Sequence, residues 1–302
     1  MTQTKAIDDL LTHKKLLLVT GKGGIGKTLV SCALASRAVA LGRRVLVVEQ
    51  AAVEQIGPLL GITGVTHEEK WSGQLGVANF TPGGNFKDFI TKHLMKSNLL
   101  DVIVSNKVVH SFFTAIPGFS ELMLLGRIFY AVNLAPRERP DLVILDGYAS
   151  GHFLSLMTTP DAVLKSGLAG PILQQTKLVK DWLADPEQCA SLYVAVPEDL
   201  VISEAIEFLP VLASKSPTRL GAVVMNRCLR HVDAAGTGSH SSAFEFARGR
   251  ETRQSLALEK YAKGMSGLKD LNHLPVFLLP ELGDIDEPLT EATVDKLLGG
   301  TR

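Results

Sequence analysis

Eight consecutive residues, Gly21-Lys22-Gly23-Gly24-Ile25-Gly26-Lys27-Thr28, combine glycines, two lysines and a hydroxyl at the spacing of a phosphate-binding loop. Glycines let the backbone curl so that successive N–H groups converge on one anion. A following helix N-terminus would add a partial positive charge. Lys27 is expected to meet the β- and γ-phosphates of a nucleotide, and the Thr28 hydroxyl to ligate Mg²⁺. The binding stretch is expected to run from Gly21 through Leu29. A second chemical residue is Asp146, where a carboxylate could hold a Mg²⁺-bound water or cap a helix; beside the loop, the metal role is preferred. Gly147-Tyr148-Ala149-Ser150-Gly151-His152 follows, a turn suited to sensing a γ-phosphate through backbone N–H groups, with His152 read as structural.

These residues need strands and helices to place them. Leu16–Val19 is a continuous apolar run that reads as a buried strand, and Leu29–Leu41, rich in Ala, Leu and Val, reads as a helix. Further strands are predicted over Arg43–Glu49, Leu75–Phe80, Asp141–Asp146, Leu192–Val196, Leu220–Met225 and Pro275–Leu279. Between Asn85 and Asn133 the apolar residues fall at helical spacing, broken at Pro117-Gly118. Val232–Ser242, rich in Gly, Ser and Ala, reads as a mobile loop. Alternation of apolar strands with helices predicts an α/β fold with a doubly wound, mostly parallel sheet of the P-loop NTPase type. The expected organisation is a single domain over 1–302 with a helical insertion over 84–134.

Composition narrows the partners. Lys plus Arg equals Asp plus Glu, 31 each, so no global basic field draws the chain to nucleic acid or anionic lipid. No apolar run is long enough to span a bilayer, and Met1–Lys15 lacks the apolar core of a signal peptide, so a cytoplasmic location is expected. Cys32, Cys189 and Cys228 are far apart with no CxxC, which disfavours a disulfide framework or an intrachain zinc site.

Lys22, directly after the first glycine, resembles the signature lysine of the ParA, MinD, nitrogenase iron protein and ArsA/Get3 ATPases. In those families it reaches across a dimer interface to the nucleotide of the facing subunit. Over nearly its whole length the sequence is similar to the bacterial ArsA-like ATPases with one ATPase domain. The Asp146–His152 turn resembles the family's D-x-A-P-[AT]-G-H switch, with Ala149 in the proline place and Ser150 in the threonine place. Pro160, Pro197-Glu198-Asp199 and Ser203-Glu204 are also similar to bacterial members. Met225-Asn226-Arg227 resembles the strand end whose asparagine contacts adenine, and Pro280–Pro288 would line the other side of the base. The resemblance implies ATP and Mg²⁺ as ligands and a homodimer or a heterodimer with a related ATPase.

Two departures stand out. Where the family carries an aspartate that orients the attacking water, in a pattern like S-T-D-P-A-H, this chain has Glu49-Gln50-Ala51-Ala52-Val53-Glu54, with Ala51 in the aspartate place. Loss of such a group lowers rate by about a hundredfold to ten-thousandfold, so nucleotide binding is better supported than turnover, with Glu54 or Glu49 as candidate substitutes. The cysteines also match neither the zinc site nor the metalloid cluster of family members. Phe86–Phe129 could form a groove for a hydrophobic or membrane-protein client or an ordinary helical layer on the sheet. The alternatives to a dimeric ATPase are a catalytically weak, nucleotide-gated subunit and a ParA/MinD-like positioning ATPase. The short, mixed-charge Glu291–Leu298 and the lack of a basic patch speak against the last.

Overall fold

Seven apolar runs read from the sequence become strands of one eight-stranded sheet, and most of the residues in them are buried. The structure, a computed structural model, describes residues 3–89, 118–135, 139–166, 171–229, 242–268, 271–283 and 288–299. In chain order the elements are α1 (Gln3–His13), β1 (Leu16–Gly21), α2 (Lys27–Ala40), β2 (Val45–Glu49), α3 (Ile56–Leu60), β3 (Lys70–Ser72), β4 (Leu75–Asn79) and α4 (Pro82–Phe89). Then come α5 (Phe119–Asn133), β5 (Leu142–Asp146), α6 (Ser150–Leu164), α7 (Pro171–Leu183), β6 (Cys189–Ala195), α8 (Asp199–Lys215), β7 (Leu220–Cys228), α9 (Ser242–Ser266), β8 (Val276–Pro280) and α10 (Glu291–Leu298).

Strand order is β3-β4-β2-β5-β1-β6-β7-β8, all parallel except the β3–β4 pair. Every residue of β1, β2 and β6 is buried, as expected for strands covered on both faces. Around the sheet, α2 packs with α1 and α10, while α5, α6, α8 and α9 pack in succession.

The structure shifts several expected boundaries. α2 begins at Lys27 rather than Leu29, β6 begins at Cys189 rather than Leu192, and β7 runs on to Cys228. β3 and α1 were not expected from the sequence. Of the proposed helical insertion and client groove, residues 90–117 lie outside the described residues, as do 232–241 of the expected loop. The described C-terminal part, α5, buries Leu124, Leu125 and Ile128 in the main core, which is the behaviour of a helical layer. Among the described residues no helix is long and apolar enough to cross a membrane.

Candidate functional site

The parallel strands deliver their carboxyl ends to one edge, the edge where open α/β sheets bind ligands. Pairing of β1 between β5 and β6 sets Val19 beside Asp146, so the glycine loop and the strand-end aspartate are neighbours by register. At the loop's end Gly26 caps α2 in the left-handed region, φ 88°, a conformation an L side chain resists. The chain leaves β5 close to β1: Gly147 N–H donates to Val19 O at 2.9 Å, and an added Cβ on Gly147 would lie 2.3 Å from that oxygen.

These constraints bring oxygen donors together. Thr28 Oγ1 donates to Asp146 Oδ2 at 2.7 Å, and Ser31 Oγ, one turn along α2, donates to Asp146 Oδ1 at 3.0 Å. Burial pushes the Asp146 carboxyl up, while the two hydroxyls and then the Lys27 charge draw it down. Burial lowers the Lys27 ammonium, with Asp146 opposing. Lys27 Nζ donates to Lys22 O at 2.9 Å, across the loop. Around Gly23 and Gly24 an added Cβ would meet nothing within 4 Å, so the loop's face is open. An open cradle of glycine backbone, a lysine donating to a carbonyl, and a hydroxyl–carboxylate pair fit a polyphosphate and a hard, oxygen-seeking cation such as Mg²⁺. Among the described residues no cluster of three or more His, Cys, Asp or Glu could hold a metal ion.

The other expected residues fall as follows. Lys22 Nζ pairs with Glu204 Oε2 at 2.9 Å, and Glu204 Oε1 accepts from Ser150 Oγ at 3.2 Å, so the signature lysine, the turn after β5 and α8 share one network. Ala149 caps α6 at φ −57°, a value proline also holds. His152 is exposed, 3.8 Å from Glu121, and its ring leans on Tyr148. Asn226 is 2% exposed and donates from Nδ2 to Ile25 O at 2.9 Å. It therefore braces the loop from beneath, with one of its amide donors already spent.

Beside it, at the ends of β6, β7 and β8, Val196, Pro197, Arg227, Phe246, Arg250 and Glu281 line an open cleft of 510 Å³, the size of small-ligand sites. Sequence reasoning missed two members of this edge, Ser31 and Gln55, whose Oε1 lies 3.5 Å from Thr28 Oγ1, and it named Glu204 without its pairing to Lys22. For Ser31 the signal was present, since it sits three residues after Thr28 on the same helical face.

Comparison with known proteins agrees with this geometry. The family model for anion-transporting ATPases matches residues 14–174, which hold the glycine loop and Asp146. ATPase BagA of Mycobacterium tuberculosis is 26% identical over 226 residues, 72% of this chain and 66% of its own length. The match thus spans just under two thirds of that relative. The ATPase ASNA1 homolog of Babesia bovis is 23% identical over 270 residues, 76% of this chain and 71% of its own. A putative arsenical pump-driving ATPase of Chlorobaculum tepidum is 27% identical over 158 residues, 49% of this chain and 36% of its own. With the family match covering more than half of its length, the chain belongs to the anion-transporting ATPase family.

Proposed function

We propose that this protein is a Mg²⁺-dependent ATPase whose nucleotide state opens and closes a dimer, with a second copy or with a related ATPase, and thereby binds and releases a partner. The observation that carries the reading is the meeting of Thr28, Ser31 and Asp146 at the mouth of an open glycine loop. Gly21–Leu29 would hold the phosphates through backbone N–H groups, and Lys27 would leave the Lys22 carbonyl to meet the β- and γ-phosphates. Thr28 would ligate Mg²⁺ directly and Asp146 through water, with Ser31 fixing the carboxylate's second oxygen. Bound Mg²⁺ neutralises charge on the phosphoryl oxygens. Lys22 would act on the facing subunit's nucleotide once released from Glu204. The cleft beside Asn226 and Arg227 suits the adenine. A hydrophobic or membrane-protein client fits the family; its surface is not assigned to residues.

Calorimetry with Mg–ATP analogue tests this. Lys27→Ala should lose at least about tenfold in affinity, one charge-assisted contact being worth about 1.5–3 kcal/mol, with an unchanged circular dichroism spectrum. Wild-type affinity in that variant would sink the site. A second reading, a gated subunit with weak turnover, is favoured by Ala51 alone, and hydrolysis by the purified chain separates the two.

A further inference from the structure

The segment after β2 has alanine where a water-orienting carboxylate is expected, and that alanine is immobilised. Ala51 N–H donates to Asn79 Oδ1 at 3.2 Å, and Asn79 Nδ2 donates to Ala51 O at 2.8 Å. The two acids the sequence offers as substitutes are engaged elsewhere. Glu49, 2% exposed, accepts the N–H groups of Gln55 at 3.2 Å and Ile56 at 3.4 Å. Glu54 accepts from Val65 N–H at 3.3 Å, and its other oxygen lies against Gly57, where an added Cβ would be 1.7 Å away. Both carboxylates therefore hold the turn into α3.

What that turn presents to the loop is Gln55, whose side chain is exposed with Oε1 3.5 Å from Thr28 Oγ1. The single proton of that hydroxyl already goes to Asp146 Oδ2 at 2.7 Å, so the amide is in contact but not committed. We infer that Gln55 orients the attacking water in this chain, with Glu49 as the positioning residue that holds its backbone; the inference rests on the nucleotide reading above. An amide suits the task because Oε1 accepts a hydrogen bond from water while Nε2 donates to a phosphoryl oxygen. Glutamine orients water in this way in other P-loop enzymes. The water oxygen forms a bond to the γ-phosphorus, and the bond from that phosphorus to the β–γ bridging oxygen breaks. ADP leaves with the electron pair. The water's proton passes to a phosphate oxygen, because the amide accepts none.

The test compares Gln55→Ala with wild type, both full length. Calorimetry is run with Mg–AMPPNP, which mimics the ground state, and with Mg–ADP plus aluminium fluoride, which mimics the flattened phosphoryl with its in-line water. Gln55→Ala should bind AMPPNP within about threefold of wild type and unfold at the same temperature. It should bind ADP–aluminium fluoride at least about tenfold more weakly and turn over about a hundredfold more slowly at unchanged KM. Equal capture of aluminium fluoride by both proteins would overturn the assignment. So would equal weakening of both ligands with a lower unfolding temperature, which would make Gln55 only a support for α3. Wild type that binds AMPPNP but not ADP–aluminium fluoride overturns the Gln55 role alone; wild type that binds neither overturns the nucleotide reading beneath it.

Discussion

Gly26→Ala and Asn226→Ala should cost less together than their sum. Gly26 sits at φ 88°, and a Cβ there would come 2.5 Å from Asn226 Nδ2, the atom that donates to Ile25 O. Alanine at 26 therefore acts twice. The left-handed backbone costs about 1–2 kcal/mol, and displacing Asn226 breaks a buried hydrogen bond worth about 1–3 kcal/mol, for a total of about 2–5 kcal/mol. Asn226→Ala loses only the hydrogen bond, about 1–3 kcal/mol. In the double variant the clash has no partner and the hydrogen bond is already gone, so only the backbone term is added. The double variant should match Gly26→Ala alone, giving a coupling of about 1–3 kcal/mol. Urea unfolding followed through Trp71 and Trp182, one on β3 and one on α7, reads all four proteins of the cycle. Strict additivity, within about 0.5 kcal/mol, would refute the placement of the Asn226 amide beneath the loop.

Glu204→Ala should free Lys22. Because Lys22 and Glu204 are 38% and 35% exposed, the bridge is worth at most about 1 kcal/mol. Sedimentation should then show AMPPNP-dependent association at about two- to fivefold lower protein concentration, whereas an association shifted to higher concentration would mean that Glu204 helps the interface. Cys32, Cys189 and Cys228 are each no more than 2% exposed, and burial raises all three thiols, Cys228 to about 11. A chromogenic disulfide reagent at pH 8 should label none of them in the native protein and all three in denaturant. A rapidly labelled native thiol would contradict the burial of that residue.

Legibility in the sequence followed physical locality. Continuous apolar runs such as Leu16–Val19 and Leu142–Leu145 announce strands buried on both faces, because nothing polar needs to reach water. β3 gives no such signal: Lys70, Trp71 and Ser72 are three residues that are exposed or half-exposed, paired only because the Gly73 turn folds them back on β4. In α1 only Ile7 and Leu11 are buried, one turn apart among charged neighbours, too sparse a stripe to read alone. At the candidate site, the nearness of Thr28, at the start of α2, to Asp146, at the end of β5, was legible because phosphate-loop chemistry needs those residue types at those places. The partners that decide their behaviour were not. Glu204 meets Lys22, and Asn226 meets Ile25, across stretches of chain whose closure only the strand order determines. Glu54 and Glu49 were legible as candidate substitutes for the missing aspartate, but the backbone N–H groups that donate to both carboxylates were not.

That competition explains how alanine at 51 is compatible with chemistry. Glu49, Glu54 and Asp146 already crowd this corner: the Glu49 carboxyl is raised by burial first, and also by the charges of Asp146 and Glu54. A further carboxylate at 51 would add repulsion against these groups and against the γ-phosphate that must approach. A neutral amide adds none. It gives up the ability to take a proton, but phosphoryl transfer through a loose transition state asks little of a base before the bond to the leaving group has lengthened. What the reaction needs then is a water held in line and negative charge met by lysine and metal. Gln55 can supply the first from beside Thr28, and Lys27 with the Thr28–Asp146 pair the second. On the inference for Gln55, the alanine marks a change in which side chain holds the water, and the turnover of the purified chain would measure how well an amide at the N-cap of α3 does so.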